Sequence, residues 1–282
     1  MEAPVAGLPA AERCLVMGVI NVTPDSFSDG GAFIDADSAI KHGRKLLAAG
    51  ADLLDVGGES TRPGAQRVPV DEEIRRVLPV VRELAAEGAV ISIDTMRATT
   101  AEAALAAGAR LVNDVSGGVA DPGLPKLVAD AAVPYVVMHW RGHSARMQEH
   151  AVYTDVVREV YDELRERLDA VVAAGVDPKR VILDPGLGFA KTAEHNWTLI
   201  ARLRELHALG RPLLVGASRK SFLGRLLGED SPRPVSDRDD ATIAVTALVA
   251  AAGAWAVRVH DVRPNADAVR VAAAVTAAGR PS

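Results

Sequence analysis

The feature that most constrains this chain is a repeated unit in which an apolar run ends at a polar residue and opens into a loop and a helix. The first unit begins with the run from Leu15 to Asn21 and continues through Pro, Asp, Ser and paired Gly to Gly31. Such a run is typical of a buried parallel strand, and the residues after it are typical of a loop. Seven further units of this kind follow, with no break in composition between them.

Eight such units predict an α/β fold, a (β/α)8 TIM barrel whose site lies at the C-terminal ends of the strands, with residues 1–282 forming one domain. A doubly wound open sheet is the alternative, although it rarely contains eight near-equal units. The predicted strands cover 15–21, 52–56, 90–93, 110–112, 135–138, 181–183, 213–215 and 256–259. The predicted helices cover 37–49, 71–87, 98–107, 121–132, 153–174, 194–209, 222–227, 239–252 and 266–278.

Composition excludes several classes of protein. The net charge of -5 and the pI near 5.8 argue against general nucleic-acid binding, which requires a basic surface. The single cysteine, Cys14, allows no intrachain disulfide, and the first eleven residues lack the features of a signal peptide, so we expect a cytoplasmic protein. The uncharged stretch 241–257 is rich in Ala and Thr, and we interpret it as a buried helix followed by a strand rather than a membrane span.

Polar residues stand at the end of nearly every predicted strand. In a barrel the C-terminal strand ends meet at one mouth, so these side chains are expected to converge there. One or two such residues would be ordinary loop residues, whereas nearly a full set indicates a functional site. The set comprises Asn21, Asp55, Asp94, Asn113, His139, Asp184, Lys220, Arg258 and His260.

Common ligand motifs are absent or incomplete. The segment 186–191 has two glycines of a dinucleotide fingerprint but Lys191 at the third position, and 216–221 has Arg219 where a P-loop requires glycine. No paired-histidine zinc motif occurs. At this stage His139 is equally compatible with a ligand and with a hydrogen-bonded structural residue, and Asp55 with a ligand contact and with a structural ion pair to an arginine.

The charged residues of the set predict an anionic ligand that also carries N–H groups. Arg62, Arg219, Arg258 and His260 supply positive charge, and arginine binds phosphate in a bidentate manner. Buried acceptors such as Asp55, Asp94 and Asp184 suit a ring rich in N–H donors, such as an aminopyrimidine. Lys220 has two interpretations: a lysine of lowered pKa that forms a Schiff base, or a charged lysine that binds an anion or a ring heteroatom.

Longer motifs carry a resemblance to a known family. They are Gly18-Val-Ile-Asn-Val-Thr-Pro-Asp-Ser-Phe27, Asp55-Val-Gly-Gly-Glu-Ser-Thr-Arg-Pro-Gly64, Ser92-Ile-Asp-Thr95, Asn113-Asp114, Met138-His139, Asp184-Pro-Gly-Leu-Gly-Phe189, Gly216-Ala-Ser-Arg-Lys-Ser221 and Arg258-Val-His-Asp261. With these motifs in order along essentially its whole length, the chain resembles the dihydropteroate synthases, the folate-pathway targets of sulfonamides. Met138-His-Trp-Arg and Trp255 are similar to actinobacterial members.

The resemblance implies a transferase reaction in which 7,8-dihydropterin-6-ylmethyl diphosphate and p-aminobenzoate give 7,8-dihydropteroate and diphosphate. Departure of diphosphate is the difficult step, and Mg²⁺ together with cationic side chains assists it by neutralising charge. The resemblance therefore implies Mg²⁺ as the cofactor, small molecules as the partners, no nucleic acid or membrane partner, and a homodimer. A single amide is a weak magnesium ligand, so the metal is expected to arrive with the diphosphate.

The resemblance also implies roles for individual residues. Asn21 contacts the metal, and Asp94, Lys220 and Arg258 are the catalytic residues. The pterin diphosphate is bound by Thr61, Asp94, Asn113, Asp184, Lys220, Arg258, Val259 and His260. The p-aminobenzoate pocket is lined by Phe27, Arg62, Pro63, Phe189 and Ser221, with the loop 22–31 around Phe27 covering the site. Simpler structural roles remain open for three of these residues: barrel-rim packing for Phe189, a helix cap for Ser221 and a salt bridge for Arg62.

Three alternatives compete with this function. A pterin-binding methyltransferase would keep the pterin acceptors but would not need the cationic cluster. A Schiff-base aldolase would use Lys220 covalently. A catalytically silent paralogue would have lost some of the site motifs, and none is lost here.

Overall fold

A computed structural model of the protein describes residues 5–23, 36–60, 67–142 and 147–279, and their strands form one parallel sheet in the order β6-β5-β4-β3-β2-β1-β8-β7. The sheet closes on itself where Leu183 pairs with Leu213 and its amide donates to the Pro212 carbonyl at 2.9 Å. This closure confirms the predicted (β/α)8 barrel. The strands are β1 Leu15–Asn21, β2 Leu53–Gly57, β3 Ile91–Asp94, β4 Leu111–Asp114, β5 Tyr135–Met138, β6 Val181–Asp184, β7 Leu214–Val215 and β8 Ala256–Val259.

Helices follow the strands as the apolar periodicity predicts. Within the described ranges they are α1 Ala36–Ala48, α2 Val70–Ala86, α3 Ala98–Ala106, α4 Gly123–Ala131, α5 Val156–Ala173, α6 Ala193–Ala201, α7 Leu203–Leu206, α8 Ser221–Leu227, α9 Asp239–Ala251 and α10 Val262–Ala278. The stretch 241–257 is α9 followed by β8, as expected. No helix in the described part of the chain is long and apolar enough to cross a membrane.

Three helix boundaries differ from the predictions by three residues or more, each for a local reason. Helix α5 begins at Val156 because the Asp155 side chain accepts hydrogen bonds from the amides of Val157 and Arg158 and caps the helix there. The predicted helix 194–209 is interrupted at Arg202, whose φ of -107° and ψ of 20° are not helical. Helix α10 begins four residues early, because a proline in the first turn replaces an amide that has no helical partner.

The core has two parts because successive strand residues point to opposite faces of the sheet. Residues facing the barrel interior form one cluster, which the N-terminal residues Val5 and Leu8 join. Residues facing outward pack with the helices in the larger cluster. Along the interior face, Leu53, Leu111, Ile182 and Ala256 belong to the interior cluster, and the residue two positions after each is polar: Asp55, Asn113, Asp184 and Arg258. The alternation of the strands therefore places these four groups at the barrel mouth.

Candidate active site

The guanidinium of Arg258 is the central group in the part of the barrel mouth that the structure describes. Its Nε donates to Asp55 Oδ2 at 2.6 Å, and its Nη2 donates to Asp94 Oδ2 at 2.7 Å. The side chains of the two carboxylates are 0% and 7% exposed, whereas that of Arg258 is 22% exposed. Although burial opposes the charge, the two carboxylates raise the pKa of Arg258 above its ordinary value. Arg258 therefore stays cationic and joins strands β2, β3 and β8.

Asp55 has a structural role in this arrangement. Its Oδ2 accepts from Asn113 Nδ2 at 3.0 Å as well as from Arg258, while its buried Oδ1 has no hydrogen-bond partner among the described residues. One carboxylate oxygen thus aligns both an amide and a guanidinium. The structure supports the ion-pair interpretation of Asp55 over direct ligand contact.

Asp94 and Asp184 are acceptors in a poorly hydrated environment. Burial raises the pKa of Asp94 to about 7, and this effect exceeds the opposing effect of Arg258. Burial also raises the pKa of Asp184, whereas Lys220 opposes that change. The Asp184 Oδ1 accepts the Gly186 amide at 2.7 Å, which fixes the carboxylate against the loop that follows β6. Both groups are placed to accept hydrogen bonds from a ligand that displaces water.

Lys220 is the residue immediately before α8, and its side chain extends into the mouth. Its Nζ donates to the Leu187 carbonyl and lies 4.8 Å from the centre of the Phe189 ring. Burial lowers the pKa of Lys220 to about 8, against the attraction of Asp184. Gly188 is required beside it, because the residue has φ of +80° and a Cβ there would lie 3.0 Å from Lys220 Cδ.

Two glycines keep the mouth open. A Cβ on Gly216 would lie 3.8 Å from Arg258 Cβ and 3.9 Å from Lys220 Nζ, so this glycine lies between the two cationic side chains. A Cβ on Gly57 would lie 3.5 Å from Asp94 Oδ2. Positive and acceptor groups therefore surround space that side chains at these positions would fill.

The end of β8 is also connected to the loop after β7. His260 Nδ1 lies 2.9 Å from Ser218 Oγ, and the His260 amide donates to the same oxygen at 3.2 Å. Ser218 belongs to the motif 216–221, but the sequence predicts no individual role for its side chain. Val259 is 2% exposed and its side chain belongs to the outer core, so a ligand contact of this residue would be made through its backbone.

Around Lys220 the structure corrects one sequence expectation and removes one structural alternative. Arg219, expected to add positive charge for the ligand, instead forms a bidentate ion pair with Asp239 at 2.8 and 2.9 Å. Its φ of +59° lies in the left-handed region, which is uncommon for a residue other than glycine. Ser221 is the first residue of α8 rather than its cap, since Lys220 holds the capping position, so the alternative that Ser221 caps the helix is excluded. Ser221 is exposed, and Phe189 is half-buried.

Four predicted site residues lie outside the described residues: Phe27, Thr61, Arg62 and Pro63. The described base of the loop after β2 is anchored by Glu59, whose carboxylate pairs with Arg97 at 2.8 Å. Arg97 also pairs with Glu73, which is 1% exposed and accepts from Thr95 Oγ1 at 2.7 Å. This network was not predicted, because nothing in the spacing of Glu59, Glu73 and Arg97 connects them.

Asn21 is half-buried at the end of β1, where its backbone is paired in register with Gly57. The described residues contain no group of three or more His, Cys, Asp or Glu side chains that would hold a metal ion. One amide oxygen is compatible with a metal whose other ligands come from a substrate and from water. His139 is not placed as a metal ligand, since its ring nitrogens contact Glu163 and Lys191.

Comparisons with known proteins agree with this chemistry. A family described as pterin-binding enzymes matches residues 17–260. A dihydropteroate synthase of Mycobacterium leprae is 56% identical over 267 residues, which are 94% of each chain. A dihydropteroate synthase of Xanthomonas albilineans solved with 4-aminobenzoic acid has a TM-score of 0.87 and 45% identity, covering 95% of this chain and 94% of its own. A structure from the same organism with 7,8-dihydropteroate has a TM-score of 0.86 and 42% identity, covering 98% of both chains.

Proposed function

Because this chain belongs to the pterin-binding enzyme family and catalyses the dihydropteroate synthase reaction, we propose how the residues of its barrel mouth divide that reaction among them. The enzyme condenses 7,8-dihydropterin-6-ylmethyl diphosphate with p-aminobenzoate and releases 7,8-dihydropteroate and diphosphate. The observation that carries the proposal is the Arg258 bridge to Asp55 and Asp94, beside Lys220 and Asp184. This arrangement places buried hydrogen-bond acceptors and fixed positive charge together at the mouth of the barrel.

The acceptors bind the pterin. Asp184 accepts hydrogen bonds from the 2-amino group and a ring N–H, and Asp94 and Asn113 contact the ring from β3 and β4. Lys220 donates to a ring heteroatom or carbonyl from the opposite side. Burial makes these bonds selective, because a ring that lacks the N–H groups would displace water from the carboxylates without replacing the hydrogen bonds that the water made.

The cations stabilise the leaving group. Arg258 keeps its charge through Asp55 and Asp94 and binds the diphosphate, together with His260, the Val259 backbone and Thr61. In the chemical step the bond from the methylene carbon to the diphosphate oxygen breaks with both electrons going to oxygen. A new bond forms from the p-aminobenzoate nitrogen to that carbon, and the nitrogen then loses a proton. Charge on the diphosphate grows as the bond breaks, so preorganised cations lower the barrier.

Mg²⁺ fits this site only as a partner of the diphosphate. Asn21 would supply one oxygen ligand, and the described residues offer no carboxylate cluster beside it. When bound, the metal supplies Lewis-acid neutralisation of the diphosphate charge. We expect chelation of Mg²⁺ to stop diphosphate release, and Asn21→Ala to raise the Mg²⁺ concentration that gives half-maximal activity.

The second substrate occupies a pocket at the rim. Phe189 supports the aromatic ring, and Ser221 lies at the exposed start of α8. Arg62, Pro63 and Phe27 complete this proposed pocket. The amine of p-aminobenzoate is neutral near pH 7, so it needs no strong base before it attacks.

The test of these roles is a substrate-dependence experiment with purified protein. Diphosphate should be released only when the pterin diphosphate, p-aminobenzoate and Mg²⁺ are all present. Asp184→Asn should weaken pterin binding much more than it lowers stability. An unfolded Asp184→Asn variant with normal affinity per folded molecule would show the carboxylate to be structural. Trapping of a substrate on Lys220 by borohydride would instead support the aldolase alternative.

Two further properties are part of the proposal. A homodimer is supported by exposed apolar side chains on the two last helices, where Leu248 of α9 and Val271 and Val275 of α10 are 62–66% exposed. Sedimentation analysis of the wild type and of Val275→Lys tests it, with a shift to monomer expected for the variant. A cytoplasmic location is supported by the chemistry of Cys14, a buried free thiol that needs no oxidising compartment.

A further inference from the structure

A buried polar chain lies behind the loop between β6 and α6, and the proposed mechanism does not use it. Lys191 Nζ lies 2.9 Å from His139 Nδ1 and donates to the Phe189 carbonyl at 3.0 Å. His139 Nε2 lies 3.0 Å from Glu163 Oε2 on α5. His139 and Lys191 are 1% and 3% exposed, whereas the Glu163 side chain is 33% exposed. The chain thus runs from the surface to the main chain of Phe189.

The protonation states decide which group donates and which accepts in this series of hydrogen bonds. Burial lowers the pKa of His139 to about 4, so the ring is neutral at physiological pH. Hydrogen bonds from His139 and Arg141 outweigh burial and lower the pKa of Glu163 to about 2, so this carboxylate is ionised. A neutral ring beside a carboxylate carries its proton on Nε2 and donates it to Glu163. Its Nδ1 is then an acceptor for an N–H of Lys191.

The loop that Lys191 closes carries two groups of the active site. Its Leu187 carbonyl accepts from Lys220 Nζ, and its Phe189 ring lies below the same ammonium group. The first half of the loop is fixed by the bond from the Gly186 amide to Asp184. The second half is fixed by the bond from the Gly188 amide to Asn196 Oδ1 at 2.7 Å and by the bond from Lys191 to the Phe189 carbonyl.

We propose that Lys191, held by His139 and Glu163, is a positioning residue that sets the place of Phe189 for the p-aminobenzoate ring. The proposal rests on the proposed location of Phe189 in the second-substrate pocket. Lys191 acts through the Phe189 carbonyl and does not touch the reacting atoms. The Glu163 carboxylate selects the His139 tautomer, the tautomer presents an acceptor to Lys191, and Lys191 presents its other N–H to the loop.

The chemistry of Lys191 favours positioning over simple packing. A buried amine loses hydration that an apolar side chain of similar length would not lose, so a lysine is a costly residue for filling space. Its hydrogen bonds have defined directions, whereas apolar contacts tolerate small shifts of a loop. A shift of about 1 Å in an aromatic ring is enough to weaken the alignment of a bound reactant substantially.

The central experiment is steady-state kinetics of Lys191→Met with each substrate varied in turn. Methionine fills similar space but donates no hydrogen bond, so KM for p-aminobenzoate should rise about five- to tenfold, as loss of one or two hydrogen bonds predicts. KM for the pterin diphosphate should change by less than about twofold, because Asp184 is held by the Gly186 amide in the first half of the loop, while Asp94 and Asn113 lie on β3 and β4. Lys126→Met is the matched control, since Lys126 is an exposed lysine paired with Asp130.

A second pair of variants tests the hydrogen bonds from Glu163 through His139 while leaving Lys191 unchanged. Glu163 and Glu159 lie one turn apart on α5 and both bind Arg141, but only Glu163 contacts His139. Glu163→Ala should raise KM for p-aminobenzoate in the same direction as Lys191→Met, while Glu159→Ala should leave it near the wild-type value. Glu163→Asp, which keeps a carboxylate, should restore part of the loss. This pair remains informative if Lys191→Met does not fold.

The outcomes separate this inference from the proposed function. Equal effects on both substrates, or an active Lys191→Met variant with normal KM for p-aminobenzoate, would overturn the positioning role. Equal behaviour of Glu163→Ala and Glu159→Ala would also overturn it. Failure of the proposed function would appear differently, as the absence of diphosphate release by the unaltered protein.

Discussion

Arg258 and Asp55 are 203 positions apart in the chain, yet Arg258 Nε donates to Asp55 Oδ2 at 2.6 Å across the barrel mouth. Asp55 is fully buried, and the same oxygen also accepts the Asn113 amide. The Asp55 carboxylate of β2 thus fixes a cation from β8 and an amide from β4, so the arrangement joins three separate strands. The position of the Arg258 cation in the active site therefore depends on the strands that the barrel brings together and not on the conformation of one loop.

The first prediction concerns this contact. Asp55→Asn keeps an oxygen for Arg258 and Asn113 but removes the negative charge and places an NH2 group where Oδ1 is buried. We expect kcat/KM for the pterin diphosphate to fall about tenfold, equivalent to ~1.4 kcal/mol, because Arg258 is no longer held by two carboxylates. Steady-state kinetics on the folded variant measures this fall.

The control for that change is a second aspartate–arginine pair. Arg13 donates to both oxygens of Asp52 at 2.7 and 2.8 Å, and Asp52 precedes β2 at the opposite end of the barrel from the mouth. Asp52→Asn should lower the free energy of unfolding while leaving both KM values and kcat unchanged. If the two variants lose activity equally, the loss reflects barrel stability and not alignment of Arg258.

The second prediction is a bell-shaped pH dependence of kcat/KM for the pterin diphosphate. Asp94 must be ionised to accept a ring N–H, and burial raises its pKa to about 7, so activity should fall below that pH. Lys220 must be charged, and burial lowers its pKa to about 8, so activity should fall above that pH. Lys220→Arg keeps its charge at high pH and should extend the alkaline limb. An alkaline limb that stays at the same pH in this variant would assign it to another group.

The third prediction concerns acid stability. The folded pKa of His139 is lowered to about 4 from an ordinary value of 6.5, so the unfolded chain binds a proton there while the folded protein does not. The free energy of unfolding should therefore decrease as pH falls from about 6.5 towards 4, by ~3 kcal/mol at most. Glu163 acts in the same direction at lower pH, because its pKa is lowered to about 2 and its contribution is lost below about 4.5.

Urea denaturation of His139→Gln at several pH values measures this effect. The variant should show a smaller loss of stability between pH 6.5 and 4 than the wild type does. His150→Gln serves as the control, since His150 is exposed, and it should follow the wild-type curve. An unchanged slope in His139→Gln would mean that another buried group dominates acid unfolding.

The fourth prediction separates backbone strain from site geometry. Gly188→Ala introduces a Cβ at φ of +80° and 3.0 Å from Lys220 Cδ, whereas Gly210→Ala introduces one at φ of +65° with no heavy atom within 4 Å. Both changes should cost about 1 kcal/mol of stability through the left-handed backbone. Only Gly188→Ala should also lower kcat/KM, because it displaces the Lys220 side chain. Thermal unfolding and kinetics on the same preparations test both parts.

The sequence could predict most of the fold because the evidence for it is local. Each strand is an apolar run that ends at a polar residue, and each helix has an apolar face, so eight units and their approximate bounds are readable without tertiary information. Where the predictions differ, the cause is a short-range detail. The cap at Asp155, the non-helical Arg202 and the proline in the first turn of α10 are decided by single residues.

The candidate site was only partly predictable. Strand alternation places Asp55, Asn113, Asp184 and Arg258 on the interior face, and their convergence follows from barrel closure. Sequence position does not reveal which charged groups pair with one another. Arg219 and Lys220 are adjacent, yet Arg219 pairs with Asp239 on α9 while Lys220 enters the mouth.

By itself, the sequence determined the strand–helix order, the face on which each strand-end residue lies and the motifs that identify the family. Only the tertiary structure decided the partners of those residues, because each pairing joins groups from elements distant in the chain. It also decided their protonation, since burial raises the pKa of Asp94 and lowers those of Lys191 and Lys220. Desolvation depends on what surrounds a group in three dimensions, and no local pattern records it.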